Sequence, residues 1–223
     1  DGKKDGRLLE YNENGNLIVR GNYKNDKVYG LNEMYWDNGN IANIAQYKND
    51  RIVGSYMEFR ENGVLVHKGS WVDGKRDGLV VYYFDSGKLK ERTFYKDGKK
   101  NGQHEIYHIN EKLREKGNYK DGNRDGLWKS YHYENGQLDI KSSYKVGKLD
   151  GIAEKYHENG QLQFKGNYKD GKLDGLAESY DENGQLTDQG NFKEDKEDGL
   201  WEFFNEDGAL EKTITYKDGE LVE

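Results

Sequence analysis

Apolar and polar positions follow one another along this chain in short alternating runs, and the runs return with a fixed period. An aromatic residue opens each period, at Tyr23, Tyr47, Trp71, Tyr95, Tyr119, Tyr144, Tyr168 and Phe192. With that aromatic as position 1, each full repeat has 24 residues, except the fifth, which gains one around His132 and Tyr133. Position 8 is always glycine: Gly6, Gly30, Gly54, Gly78, Gly102, Gly126, Gly151, Gly175 and Gly199. Position 13 is always aromatic: Tyr11, Tyr35, Phe59, Tyr83, Tyr107, Tyr131, Tyr156, Tyr180 and Phe204. An aliphatic residue at position 19 follows the second turn each time, from Leu17 and Ile41 to Leu210.

This pattern predicts one β-hairpin per repeat. Positions 9–13 read as a strand, the Glu-Asn-Gly that follows as a hairpin turn, and positions 19 to the next aromatic as the return strand. The Lys-Asp-Gly-Lys-x-Asp-Gly joint then leads to the next hairpin through residues that favour turns. Strict alternation places positions 9, 13, 19, 23 and the next aromatic on one buried face. Position 23 is small in nearly every copy (Gly21, Ala45, Gly69, Thr93, Gly117, Ser142, Gly166, Gly190), with Ile214 as the exception. A small residue there leaves room for a ring from the neighbouring strand. The aromatics and glycines at positions 13 and 8 are therefore read as structural.

The predicted fold is all-β: a single antiparallel sheet layer of about nine tandem hairpins, residues 1–223 forming one repeat array. Residues 1–22 form a partial copy, 23–215 eight full copies, and 216–223 a stub. A fixed period of this length signals a repeat architecture, in which each copy contacts mainly its neighbours.

Composition alone points the other way, towards disorder, with 33% hydrophobic and 35% charged residues. The register of the aromatics overrules it. The net charge of −7 argues against nucleic acid and against anionic lipid as partners. With no cysteine, disulfides and thiolate metal sites drop out.

Little here points to catalysis or to a cofactor. His108, His132 and His157 fall at position 14 of successive repeats. Equivalent atoms two strands apart are separated by roughly 10 Å, too far to share one metal. Asp121 with Asp125, or Asp170 with Asp174, could offer oxygens to calcium, but Lys172 lies between the second pair. No nucleophile elbow, zinc-helix or phosphate-loop motif occurs. The chain reads as a non-enzyme without cofactor or metal.

The repeat GNYKDGKxDGLWxxYxENGQL resembles the MORN-repeat variant found in many bacterial proteins. The resemblance rests on the joint, on the strands Leu127–Tyr131 and Leu200–Phe204, and on the ENGQL turn, and it covers the chain. It implies an elongated, twisted antiparallel sheet. It also implies roles in protein contact, membrane association or antitoxin-like masking, without a common catalytic activity. The joints NDKVYG and NDRIVG, and Glu111 where glycine is expected, depart from the pattern.

Repeat proteins bind through positions that vary between similar copies. The variation is strongest in residues 23–94, where apolar groups replace polar ones: Val28 and Tyr29, Trp36, Ile52 and Val53, and Phe84. Position 10 adds Tyr56, Trp128 and Trp201. These residues predict a protein-binding surface around Val28, Tyr29, Trp36, Ile52, Val53, Tyr56 and Phe84. The leading expectation is a scaffolding or protein-interaction repeat at a bacterial surface or envelope. One alternative is a cell-wall or glycan-binding module; another is an antitoxin or immunity-like protein whose acidic face masks a basic partner. The unpaired edges of the incomplete end copies also predict end-to-end self-association.

Overall fold

The computed structural model describes residues 2–222, and among them there is no helix. The chain divides into two compact units, residues 1–111 and 112–223. In each, successive antiparallel strands pair with their neighbours in chain order.

Each repeat contributes two kinds of turn. The Glu-Asn-Gly turn is closed at both ends by its backbone: Trp36 N donates to Asn40 O (2.8 Å) and Gly39 N to Trp36 O (2.8 Å). The asparagine locks it further, Asn40 N donating to Asn38 Oδ1 (2.9 Å). Glu111 fills the glycine position with φ of 68°. The extra residue of the fifth repeat is taken up by its turn, where His132 N reaches Gln137 O (2.9 Å) before the next strand starts at Leu138.

The joint is a second hairpin turn rather than a connector. Its two central residues both have positive φ, as in Asn25 (51°) and Asp26 (66°) or Asp73 (48°) and Gly74 (80°). That is the signature of a type I′ turn, whose twist matches the flanking strands. Lys24 then pairs with Lys27 and Tyr23 with Val28. The divergent joints have their own chemistry. Where aspartate replaces the second turn glycine, its carboxylate accepts from a backbone N–H one repeat earlier: Val28 N to Asp50 Oδ1 (2.7 Å) and Leu173 N to Asp195 Oδ1 (2.7 Å).

Two irregularities recur and decide which side chains share a face. At the glycine of position 8 the strand bulges away from its predecessor, so that Val53, Gly54 and Ser55 stand opposite Gln46 alone. Every glycine there has positive φ, from 72° at Gly126 to 115° at Gly175, which a side chain resists. In the return strand, position 20 bulges. Met34 pairs with Asn43 but Tyr35 with Ile41, which leaves Ala42 without an opposite residue. The same shift recurs between Tyr82 and Tyr83 and between Phe203 and Phe204.

The bulge at position 20 corrects the expected buried face. Without it, position 9 would face position 23. With it, Leu31 pairs with Gln46 and Asn32 with Ala45. A one-residue shift in register moves a whole set of side chains to the other face. Positions 1, 10 and 23 therefore share one face (the ring face), and positions 9, 11, 13, 22 and 24 share the other (the ladder face). Position 9, expected inside, is exposed: Leu31, Leu79, Leu127, Ile152, Leu176 and Leu200 all lie open to solvent.

Candidate interaction surface

The ring face is filled by the chain's own side chains. Along its central row the small residue at position 23 faces position 10, which is large in Tyr56, Val80, His104, Trp128 and Trp201 and alanine in Ala153 and Ala177. Trp128 is 3% exposed and pairs with Ser142; Val80 is fully buried against Thr93. The small partners make the rings fit: a Cβ on Gly117 would lie 2.3 Å from Trp128 Cδ2. Position 1 supplies flanking rings edge-on. Trp128 meets Tyr119 at 5.0 Å and Tyr144 at 6.2 Å, and Trp201 meets Phe192 at 5.1 Å and Tyr216 at 6.3 Å. Such T-shaped pairs add about 0.5–1.5 kcal/mol each beyond area burial. The guanidinium of Arg124 sits 4.1 Å over Trp128 and pairs with Glu115 at 2.8 Å.

In the N-terminal unit this face holds a ring cluster. His67 stacks between Tyr56 (5.2 Å) and Tyr82 (5.1 Å), with Trp71 against Tyr56 at 5.0 Å. Burial, helped by nearby Arg76 and opposed by Glu58, lowers the imidazole pKa. Burial and the Glu58 carboxylate push the Tyr56 phenol up to about 12. Farther along, Thr93 Oγ1 lies 2.6 Å from His104 Nδ1 and donates to Glu91 at 2.8 Å. His104 and Thr93 are buried, while the Glu91 side chain is part-exposed and pairs with Lys100 (3.3 Å).

The ladder face is open and regular. Where position 11 is glutamate, the aromatic at position 13 lies beside it: the Tyr35 hydroxyl donates to Glu33 (2.7 Å), Tyr107 to Glu105 (2.7 Å) and Tyr156 to Glu154 (2.9 Å). The glutamate also receives a cation from position 22 of the preceding strand, as in Arg20–Glu33, Arg92–Glu105, Lys141–Glu154 (2.7 Å) and Lys165–Glu178 (3.1 Å). Burial, then Glu105, pushes the Tyr107 phenol up to about 12. Beside this ladder runs position 9. In the C-terminal unit Leu127, Ile152, Leu176 and Leu200 form an aliphatic row, 40–52% exposed, in which each residue pairs with a short polar one.

The residues expected to form one binding patch fall into two groups. Val28, Tyr29, Ile52 and Val53 lie at the joints, whereas Trp36 and Phe84 lie at the opposite turns of their hairpins. Val28 and Ile52 pair with Tyr23 and Tyr47. Tyr56 belongs to the ring cluster. Of the seven, Tyr29 and Trp36 are the exposed ones, at 40% and 39%. Trp36 is also anchored, its Nε1 donating to Phe59 O (3.1 Å). Position 14 plays that part elsewhere too: His157 Nε2 meets Tyr180 O at 3.0 Å and His132 Nε2 meets Tyr156 O at 3.3 Å. His132 and His157 thus staple their turns to the next repeat. Among the described residues no three His, Asp or Glu side chains converge on a metal-sized site.

Comparison with known proteins agrees with this architecture. The MORN repeat variant matches seven stretches: 4–25, 29–49, 76–97, 124–145, 149–170, 173–194 and 197–218. The chain belongs to the MORN repeat variant family. Residues 50–75 and 98–123 keep the strand order of their MORN neighbours while falling between matches. No curated protein matches the chain in sequence. Among solved structures, TarM is 12% identical over 62% of this chain and 19% of its own, with a TM-score of 0.24. A TcdB2-TccC3-Cdc42 structure is 12% identical over 96% and 14% (TM-score 0.25), and alternansucrase in complex with isomaltononaose 17% over 93% and 16% (TM-score 0.22). The chain spans less than a fifth of the length of each, and superpositions this loose say nothing of function.

Proposed function

We propose that this MORN array is a non-catalytic binding module that offers the ladder face of its hairpins to a partner protein. The observation that carries the reading is the exposed row Leu127, Ile152, Leu176 and Leu200. Scattered exposed leucines are ordinary. A row kept in register over four repeats, while the opposite face is packed with rings, is a contact surface waiting for a cover. The neighbouring pairs Lys141–Glu154 and Lys165–Glu178 form a polar margin of the kind that rims protein interfaces. Tyr29 and Trp36 extend the reading to the N-terminal unit, as rings of the type enriched at binding hot spots.

The test is affinity capture from source-organism extract, comparing the parent with a Leu127→Lys/Leu176→Lys variant of matching β-sheet circular dichroism. A protein retained by the parent and depleted at least tenfold on the variant is the expected result. Equal retention by both removes this row from the interface. Retention of purified wall glycan in place of protein would replace the reading with a carbohydrate-binding one.

A further inference from the structure

Within the N-terminal unit the charged ladder has one interruption; in the C-terminal unit it is broken differently, by Lys129 at position 11 between Lys116 and Lys141. In the N-terminal unit it begins with the pair Arg20–Glu33 and resumes with Arg92–Glu105. Between them the cross-strand neighbours are Ile44, Met57, Lys68 and Val81. Met57 and Val81 occupy position 11, which in Glu33, Glu105, Glu154 and Glu178 supplies the carboxylate for the position-22 cation. Lys68 is that cation, exposed and flanked on both sides by apolar side chains. Among the described residues no carboxylate pairs with it. The surface dips here into a shallow depression of about 240 Å³, whose walls include Met57, Lys68, Leu79 and Val81, with the small Ser55 and Ser70 at its edge.

We propose that this depression docks a segment of a partner protein that presents a carboxylate flanked by apolar side chains. The carboxylate takes the place of the missing glutamate on Lys68 Nζ, and the apolar groups cover Met57, Val81 and Leu79. Three features select this chemistry. The cation is single, because Arg20 and Arg92 are already held by Glu33 and Glu105, so a phosphate backbone finds no second partner. Its surroundings are apolar, so a charge-assisted hydrogen bond formed there is drier and stronger than one at an open surface. Methionine supplies a wall that adapts to the side chain laid against it. The net charge of −7 gives no long-range pull on an acidic segment, so recognition rests on the local fit. The inference rests on the reading of the chain as a protein-binding module but uses different residues from the Leu127–Leu200 row.

The chain has two methionines, which makes the test direct. Met57 lines the depression, and Met34 lies on the other face beside Asn43. Peptides selected from a displayed random library on the full-length chain are titrated into protein carrying ¹³C-methyl methionine. The expected pool is enriched in Asp or Glu between apolar residues and moves the Met57 methyl signal but not that of Met34. Lys68→Met should weaken binding about tenfold, and Lys68→Glu should abolish it; both replace an exposed side chain, and matching circular dichroism verifies their folds. Leu127→Lys/Leu176→Lys should leave the affinity unchanged. A pool without acidic residues, no binding peptide, an unmoved Met57 signal, or indifference to Lys68→Glu overturns the proposal. Peptides that depend on Leu127 and Leu176 but not on Lys68 overturn it while leaving the broader protein-binding reading intact. Phosphatidylglycerol vesicles that move the Met57 signal where peptides do not would overturn it in favour of a lipid surface.

Discussion

Gly190 lies against the indole of Trp201 so closely that a Cβ on it would stand 2.2 Å from Trp201 Cδ2. Contact at that distance is forbidden, and the other near atoms (Cε2 at 2.3 Å, Cγ at 2.5 Å) belong to the same rigid ring. The small residue facing a position-10 ring is therefore a packing requirement. Gly190→Ala should cost roughly 2–3 kcal/mol, the upper range for overpacking a filled core. Urea unfolding at neutral pH measures it. If the clash is the cause, Gly190→Ala combined with Trp201→Leu should be less destabilised than the sum of the two single changes. Strict additivity would mean that the glycine matters for another reason.

Val146 occupies a turn position that other joints give to aspartate, asparagine or glutamate. Its φ is 50°, a region that β-branched residues rarely enter, and its side chain is 71% exposed. The valine thus gains little burial to offset the strain of a left-handed backbone, about 1–2 kcal/mol for an ordinary residue. Val146→Asn should stabilise the protein by about 1 kcal/mol, raising the urea midpoint with no change in m-value. An unchanged or lower midpoint would show that the turn tolerates valine without penalty.

Asp50 replaces a turn glycine and accepts a hydrogen bond from Val28 N across the gap to the preceding repeat. The bond ties two joints that the strand ladder leaves loosely connected at this end. Asp50→Gly, which removes the carboxylate while keeping a residue that accepts the positive φ of 65°, should speed amide hydrogen exchange at Val28 several-fold. The amide of Asn32, on the same hairpin but inside the ring face, should keep its protection. Loss of protection at both would point to a wider opening of the hairpin.

Hairpins, turns and repeat boundaries were legible because each rests on residue types with a local reason to be there. Glycine at position 8 answers a positive φ in all nine copies, and the joint pairs of Asp, Asn and Gly answer a type I′ turn. The facing of the strands was not legible, and the cause is one residue. Position 20, where the return strand bulges, holds Ile18, Ala42, Val66, Lys90, Asp139, Gln163, Thr187 and Glu211. No shared side chain marks that irregularity, so a reading by strict alternation puts Leu31 and its equivalents inside when they lie outside. The interruption around Lys68 was hidden by the same error. Met57 and Val81 differ from the glutamates of other repeats in plain view, but the difference matters only once position 11 is known to face position 22.

His67 gives a pH dependence whose sign is fixed by its surroundings. The imidazole is stacked between Tyr56 and Tyr82 and only 9% exposed. Burial, the largest cause, lowers its folded pKa from 6.5; Glu58 opposes the shift and Arg76 assists it. A base with a depressed folded pKa binds fewer protons folded than unfolded between the two values, so stability falls as the pH drops through that window. The contribution is complete above 6.5 and is lost progressively below it, levelling off once the folded imidazole is itself protonated. Replacement by phenylalanine keeps a ring between the two tyrosines and removes the titration. The stability of wild type minus that of His67→Phe should therefore be constant above pH 7 and decline towards pH 5, measured by urea unfolding at matched ionic strength. Acid titration of the carboxylates is common to both proteins and cancels in the difference. A gap that widens in favour of wild type on acidification would mean that Glu58, 3.3 Å from Nδ1, outweighs burial and holds the ring as a cation.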